Sequence, residues 1–193
     1  MVRTVFILMF VALLAGCAKP PAAGQAGSAS LTVSDVDGQS HTPLAASSQQ
    51  ARVFIFITTD CPIANGYAPE IARITAAYEP RGIKVYLVHA DPDVTADRAN
   101  QHAKDYRHAN TILLDRDQAL AKATGATVTP EAVVVSPKGD MLYRGRIDDR
   151  YATFGRKREV VTQTELRDAL DAILGGRPVP VARTEAIGCH IPL

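Results

Sequence analysis

The sequence predicts an α/β fold in which a mixed β-sheet carries helices on both faces. Three runs rich in β-branched residues alternate with helical patterns, which calls for parallel strands joined by right-handed crossovers. Two further strand patterns flank a Pro-Lys-Gly-Asp turn and predict an antiparallel hairpin, after which a last helix follows. With 193 residues, 47% of them hydrophobic, the chain suffices for one domain with a substantial core but not comfortably for two.

The first half of the domain supplies the alternating elements. Residues 31–43 contain an extended stretch with an Asp-Gly turn signal. The apolar run 52–57 predicts a buried strand, and apolar residues at helical spacing predict one amphipathic helix over 62–79, closed by Pro80 and Gly82. The pattern continues with a strand at 83–88, a polar helix at 95–107, a strand at 111–114 and a short helix at 117–124.

The second half is antiparallel and ends in a helix. Residues 132–147 predict the hairpin, and 164–174 predict an amphipathic helix that a pair of glycines ends. We therefore assign the folded domain to residues 31–176. The rest, 177–193, forms a proline-rich C-terminal tail that carries Cys189.

The N-terminal segment has the pattern of a bacterial export signal. Arg3 supplies a positive charge, and residues 5–14 are apolar over a length typical of a signal-peptide core. The ending LAGC at Cys17 resembles the lipobox of bacterial lipoproteins, whose cysteine is lipid-modified; the alternative is an ordinary secretion signal with an incidental cysteine. The resemblance implies a signal peptide over 1–17, a flexible tether over 18–30, and a lipid anchor that holds the protein on the extracytoplasmic, periplasmic side of a bacterial membrane.

Charge and hydropathy argue against two other classes of protein. The formal net charge is +1, and no basic block or interleaved aromatic patch indicates nucleic-acid binding. Beyond the N-terminal segment, no apolar run is long enough for a membrane-spanning helix.

Cysteine usage directs attention to two thiols. The chain has three cysteines, and lipid would occupy Cys17. Cys61 and Cys189 then remain in a compartment where disulfides form and persist. Because an exported protein rarely leaves two thiols unpaired, we expect these two to lie close together.

Cys61 lies where a predicted strand ends and a predicted helix begins. Unpaired N–H groups and the helix dipole at such a position favour the thiolate over the thiol. Pro62 is well suited to a first helical turn. The alternative is a buried structural thiol, since cysteines often act as small hydrophobic residues. The position favours a functional cysteine that attacks as the thiolate.

The order of these features resembles the thioredoxin fold: a strand ending at a cysteine, then a helix, and much later Thr129-Pro130 leading into a hairpin. More narrowly, residues 54–61 followed by PIANGYAPEI resemble the redoxin branch, which includes the alkyl hydroperoxide reductase/thiol-specific antioxidant family. The resemblance covers roughly residues 31–175. It implies a cis proline at Pro130 facing the cysteine and a substrate groove shaped by Thr129 and Pro130. Asn65, near the start of the helix, is a candidate substrate contact by its position.

The resemblance also has limits that bear on the reaction. Thr58, three residues before Cys61, matches the Thr-x-x-Cys arrangement of peroxiredoxins, in which the hydroxyl lies against the thiolate. Ala64 stands where a thioredoxin has its second cysteine, and Asn65 where a Sco-type copper chaperone has its own. Peroxiredoxins carry an arginine at the entry to the later strand, about where this chain has Thr129-Pro130. We therefore expect thiol–disulfide exchange with a protein partner ahead of reduction of a peroxide, which would take Cys61 through sulfenic acid.

The role of Cys189 stays open between three possibilities. It resolves an oxidised Cys61, it pairs with Cys61 permanently as a structural disulfide, or it is an unrelated thiol of the tail. No cofactor is expected. The alternative is a carrier of Cu(I), or a Zn site, built from two thiolates and imidazoles: Cys61, Cys189, His89 and His190.

Other polar residues are expected to be structural. Tyr67 should pack in the core and Glu70 should lie at the surface. The mixed-charge stretch 144–150 reads as a solvated, salt-bridged loop, although one of its arginines is an alternative source of support for the cysteine thiolate. Three histidines in polar contexts are expected to face solvent: His41, His102 and His108.

Overall fold

A computed structural model of the chain describes residues 30–192. The predicted signal peptide, Cys17 and nearly all of the predicted tether therefore lie outside the described residues. Within them, no helix is both long enough and apolar enough to cross a bilayer. The strands are β1 (Val33–Asp35), β2 (Ser40–His41), β3 (Ala51–Ile57), β4 (Ile83–His89), β5 (Thr111–Leu114), β6 (Val128–Thr129), β7 (Glu131–Val135), β8 (Met141–Gly145), β9 (Tyr151–Thr153), β10 (Arg156–Lys157) and β11 (Cys189–His190). The helices are α1 (Pro62–Gly66), α2 (Ala68–Tyr78), α3 (Ala96–Tyr106), α4 (Ala119–Thr124) and α5 (Glu165–Leu174).

The central sheet is mixed, as the sequence predicts. Its strand order is β2-β1-β5-β4-β3-β7-β8. Strands β3, β4 and β5 are parallel neighbours, while β7 pairs antiparallel with β3 and with β8. Two crossovers, through α2 and α3, join the parallel strands. The carboxyl ends of β3 and β4 consequently lie at one edge of the sheet, where Cys61 follows β3.

The two faces of the sheet bury separate apolar clusters. Because side chains alternate along a strand, Val53 and Ile55 point to one face while Phe54 and Phe56 point to the other. The first face packs against α2, α3 and α5, and the second against α4. Each fully buried side chain of this size stabilises the fold by about 1.5–3 kcal/mol. Helices on both faces confirm the predicted layer arrangement.

The helix predicted over 62–79 is in fact interrupted. Helix α1 ends at Gly66, Tyr67 lies between the two helices, and α2 begins at Ala68. Pro69 accounts for the break, because it lacks the backbone N–H that would bond the carbonyl of Asn65 in a continuous helix. The sequence pattern was wrong here because the apolar spacing runs through the interruption.

Short strands account for the other differences from the predicted elements. Strands β9 and β10 form a small hairpin, and β11 of the tail pairs antiparallel with β6. The predicted hairpin over 132–147 is present as β7 and β8, and the extended stretch at 31–43 folds into the hairpin of β1 and β2. Helix α4 begins two residues later than predicted because Gln118 adopts a left-handed conformation with φ of 61°.

Several polar side chains are more buried than expected. Glu70 is 8% exposed and bonds Arg167 and Arg73, so its predicted surface position is wrong. His102 is 6% exposed and does not face solvent. Burial of both follows from tertiary contacts that a local polar context does not reveal.

The mixed-charge stretch 144–150 is salt-bridged but not solvated. Asp148 and Asp149 are buried, and Asp149 accepts hydrogen bonds from the backbone and hydroxyl of Thr162 at 2.8 and 2.6 Å. Arg146 pairs with Glu165 of α5. The stretch therefore fastens the hairpin to the last helix, and its charges are engaged with these partners.

Candidate active site: a dithiol closed by the C-terminal tail

Cys61 is the N-cap residue of helix α1, directly after the loop that follows β3. Its Sγ accepts the backbone N–H of Ala64 at 3.5 Å and lies 3.1 Å from the carbonyl oxygen of Thr129, to which the protonated thiol donates. The side chain is 1% exposed. The strand-to-helix junction predicted from the sequence thus places the sulfur at a helix start, and the fold buries it.

Cys189 lies directly over Cys61. The Sγ of Cys189 donates to the Sγ of Cys61 at 2.7 Å, and both cysteines are free thiols. A disulfide bond is about 2.05 Å long, so the two sulfur atoms are close to bonding distance without being bonded. The structure thereby brings together the two thiols that are 128 positions apart in the chain.

A segment of the tail holds Cys189 in place; we call residues 181–192 the strap. Within it, β11 pairs with β6 so that Cys189 stands opposite Thr129. Farther along, Ile191 donates its N–H to the carbonyl of Thr127 at 2.9 Å, and its side chain is buried in the second apolar cluster. Earlier in the strap, Thr184 donates its N–H to the carbonyl of Arg144 at 3.0 Å. The strap is therefore fixed on both sides of Cys189.

Gly188 permits the close approach of the strap. A Cβ at this position would lie 1.9 Å from the carbonyl oxygen of Thr129 and 2.6 Å from its carbonyl carbon. Both atoms belong to the backbone, so neither can rotate away. Only glycine lets Cys189 sit at its observed distance from Cys61.

The two thiols differ in acidity. Burial raises the pKa of Cys61, but hydrogen bonds from Cys189 and from the N–H of Ala64 outweigh it, so the pKa lies below the usual value of 9.0. Burial, the hydrogen bond to Cys61 and the nearby charges of Cys61 and Asp60 raise the pKa of Cys189 to about 12. The first proton of the pair therefore leaves Cys61, and Cys189 keeps its proton to stabilise the resulting thiolate.

The groove expected at Thr129 and Pro130 is occupied by the chain itself. The peptide bond between them is cis, as the resemblance implies. Thr129 is fully buried, and its hydroxyl lies 3.4 Å from the carbonyl of Cys189. The strand edge at which a substrate was expected is thus paired with the strap, a contact that no local sequence pattern specifies.

Thr58 and Asn65 support the loop before the cysteine. The hydroxyl of Thr58 lies 3.4 Å from that of Thr129, rather than against the sulfur as the peroxiredoxin resemblance implies. The amide of Asn65 donates to the carbonyl of Thr59 at 3.1 Å and accepts from Nε2 of His102 at 2.8 Å. Thr58 therefore links the loop before Cys61 to Thr129, and Asn65 links the same loop to helix α1.

The histidines of the alternative metal site do not join the two sulfur atoms. His89 is fully buried at the end of β4, where its ring centroid lies 5.5 Å from that of His102. His190 is exposed and stands opposite Val128. Across residues 30–192, no group of three or more His, Cys, Asp or Glu side chains has an arrangement suited to a metal ion.

Sequence reasoning missed the residues that position Cys189. Gly188 and Ile191 fall within the proline-rich tail, for which no strand is predicted from the sequence. A signal was present, since Ile187-Gly188-Cys189-His190-Ile191 alternates apolar and small or polar residues as a short strand does. Its partner strand, β6, has only two residues, which local patterns rarely reveal.

Comparisons with solved structures reveal close similarity of fold. A hypothetical protein from Sinorhizobium meliloti 1021 is 27% identical, with 83% of this chain and 89% of that chain covered and a TM-score of 0.71. An uncharacterized conserved protein from Geobacillus kaustophilus is also 27% identical, with 84% and 88% covered and a TM-score of 0.72. A secreted Mycobacterium tuberculosis disulfide oxidoreductase, homologous to E. coli DsbE, shares the fold at 16% identity, with 78% and 98% covered and a TM-score of 0.52.

The sequence comparisons identify the family. No curated protein matches the chain. The Redoxin family matches residues 22–158, which is more than half of the chain, and the fold agrees with that match. The chain therefore belongs to the redoxin family of thioredoxin-like oxidoreductases.

Proposed function

We propose that this redoxin is an extracytoplasmic, lipid-anchored thiol–disulfide oxidoreductase in which Cys61 and Cys189 cycle between a dithiol and an intramolecular disulfide. The observation that carries the proposal is the 2.7 Å separation of the two Sγ atoms. Oxidation of the pair by a disulfide partner forms one S–S bond and releases two electrons and two protons to that partner. The reverse exchange returns both thiols.

The acidity of the pair favours turnover over a permanent disulfide. A lowered thiol pKa is the usual property of a reactive cysteine, because the thiolate is the nucleophile. Cys189 is partly exposed, so the pair is not sealed in the core. A purely structural pair would need neither feature.

The reduction potential of the pair tests this proposal. A potential above roughly −250 mV supports redox cycling, and one well below about −300 mV indicates a structural disulfide. The measurement uses glutathione buffers and alkylation of unreacted thiols in a Cys17→Ser background, which leaves two cysteines. Matched Cys61→Ser and Cys189→Ser variants must lose exchange activity with a disulfide peptide, and full activity in either would contradict the proposal.

Thiolate absorbance provides a second readout of the same pair. As pH rises, one thiolate should appear below the usual thiol pKa of 9.0 and the second only near pH 12. A Cys189→Ala variant should retain the first step at a higher pKa, because it has no donor for Cys61. Two independent titrations near 9 would argue against a coupled pair.

Peroxide reduction is a second candidate for the oxidising half-reaction. The thiolate character of Cys61 favours it, whereas the hydroxyl of Thr58 would have to turn from Thr129 toward the sulfur. Its product would be a Cys61 sulfenic acid that Cys189 condenses with, releasing water. Hydrogen peroxide added to the reduced Cys189→Ser variant should then yield a sulfenic acid that dimedone traps, and absence of the adduct leaves disulfide exchange alone.

Cu(I) carriage is an alternative that uses the same two sulfur atoms. Metal–sulfur bonds of about 2.3 Å set two thiolate ligands of one ion close to 4 Å apart, so the pair would have to open from its present separation. Cu(I) titration of the reduced chain tests this alternative. Unchanged affinity in Cys61→Ser would exclude the pair as the copper site.

The lipid anchor is a separate element of the proposal. The apolar core and LAGC ending of the N-terminal segment support it. Expression in bacteria fed a radiolabelled fatty acid should label the protein, and Cys17→Ser should abolish labelling. A labelled Cys17→Ser chain would contradict lipidation at that residue.

A further inference from the structure

The two sulfur-bearing residues differ in how a partner can reach them. Cys61 is 1% exposed, whereas Cys189 is only partly buried. The strap itself covers Cys61, because β11 is paired with β6 across the top of the site. A thiol approaching from solvent therefore meets Cys189 first.

A groove opens beside the strap. Its volume is about 690 Å³, and its walls include Gly188 and His190, which flank Cys189 in the chain. Phe154 also lines it and is 64% exposed, which provides apolar surface next to the strap. Cys189 itself does not line the groove, which therefore offers a protein partner a surface along the strap next to Cys189 rather than a direct contact with its sulfur.

We propose that electrons enter through Cys189: an external thiolate attacks Sγ of Cys189 in the oxidised protein, and Cys61 is the leaving thiolate. The inference deepens the proposed function and rests on it. The attack forms a bond between the donor sulfur and Cys189, breaks the Cys61–Cys189 bond and leaves its electron pair on Cys61. A second thiol of the donor then attacks the donor sulfur of this mixed disulfide, Cys189 departs and takes a proton, and the donor becomes the disulfide.

The direction of attack follows from the geometry of exchange. A thiolate attacks a disulfide sulfur in line with the bond that breaks, on the far side from the leaving sulfur. For Cys189 that side faces away from Cys61, and the residue is partly exposed to solvent. For Cys61 it faces the interior, where Ala64 and Thr129 contact the sulfur.

The environments of the two sulfur atoms favour the same direction. Hydrogen bonds lower the pKa of Cys61, while that of Cys189 is raised to about 12. A thiol of lower pKa leaves faster in exchange, so loss of Cys61 is the faster step. The N–H of Ala64 is already placed to stabilise the thiolate that departs.

Mapping the site of a monothiol adduct tests the inference. The oxidised full chain in the Cys17→Ser background is mixed with glutathione, and released thiols are trapped with excess iodoacetamide at the earliest times. Peptide mass spectrometry should find glutathione on Cys189 and carbamidomethyl on Cys61, in at least about tenfold excess over the reverse pattern. Equal labelling, the reverse pattern or no reaction at either sulfur would overturn the inference, because each denies that Cys189 is the open sulfur.

The outcome separates this inference from the proposed function. If both thiols alkylate before glutathione is added, no disulfide has formed and the proposed redox pair fails. If the disulfide forms but glutathione attaches to Cys61, the pair stands and only the entry point is wrong. A Phe154→Ala variant serves as a second measurement: it should slow exchange with a protein dithiol but leave the glutathione pattern unchanged.

Discussion

Substitution of Gly188 by alanine tests how strongly the strap couples the two thiols. The added Cβ would lie 1.9 Å from the Thr129 carbonyl oxygen, far inside an ordinary contact of about 3.4 Å. Thr129 precedes β7 in the central sheet, so the strap must move instead, by about 1.5 Å. In the dithiol, residues 188–190 can move away from Thr129 and relieve the clash. In the oxidised form, the disulfide ties Cys189 to Cys61, so the clash remains.

The magnitude follows from the cost of this overlap. Overpacking of this kind costs about 1–3 kcal/mol, and that strain falls on the oxidised form. For a two-electron couple, about 1.4 kcal/mol corresponds to 30 mV, so the potential should rise by about 20–65 mV. The equilibrium constant for disulfide formation with glutathione should fall by about fivefold to 150-fold.

Redox titration against glutathione measures both quantities, with Glu185→Ala as the matched control because Glu185 is an exposed strap residue. The control should titrate as the unsubstituted chain does. A Gly188→Ala potential within about 10 mV of the control would refute the reasoning, because a difference that small corresponds to less than about 0.5 kcal/mol. It would show that the stability of the disulfide does not depend on the close contact between the strap and Thr129.

Three further predictions concern the surroundings of the pair. Asn65→Ala removes the hydrogen bonds that join His102 to Asn65 and Asn65 to the carbonyl of Thr59. The substitution should cost about 1–3 kcal/mol of unfolding free energy and, because the loop before Cys61 loses this support, slow alkylation of Cys61. Both quantities can be measured in one preparation. Tyr67→Phe removes the 2.6 Å hydrogen bond to buried Asp148 and should cost about 1.5–3 kcal/mol in urea denaturation; an unchanged midpoint would mean that water replaces the hydroxyl. Burial lowers the pKa of His108 to about 4, below its unfolded value of about 6.5, so stability should be fully present above pH 6.5 and decline as pH falls toward 4, and His108→Gln should flatten that decline.

Much of the fold could be predicted because it depends on local patterns. The apolar runs at β3 and β4 read as buried strands at any point in the fold, and the turn at 137–140 specifies the hairpin that follows. Pro69 shows the limit of such patterns. Its effect on the backbone is local, but the apolar spacing on either side of it remained helical and concealed the break.

The candidate site also has some features that follow from the sequence and others that only the tertiary structure produces. The sequence by itself determined that Cys61 would start a helix after a buried strand, and the predicted lipid on Cys17 left Cys189 as the expected partner thiol. Only the tertiary structure decided that the strap pairs with β6, buries Cys61 and leaves Cys189 nearer to solvent. The physical reason is that β11 and β6 have two residues each, so the alternating pattern around Cys189 does not identify the strand with which it pairs. Their pairing depends on the Gly188 contact and on burial of Ile191, which exist only when the whole chain has folded.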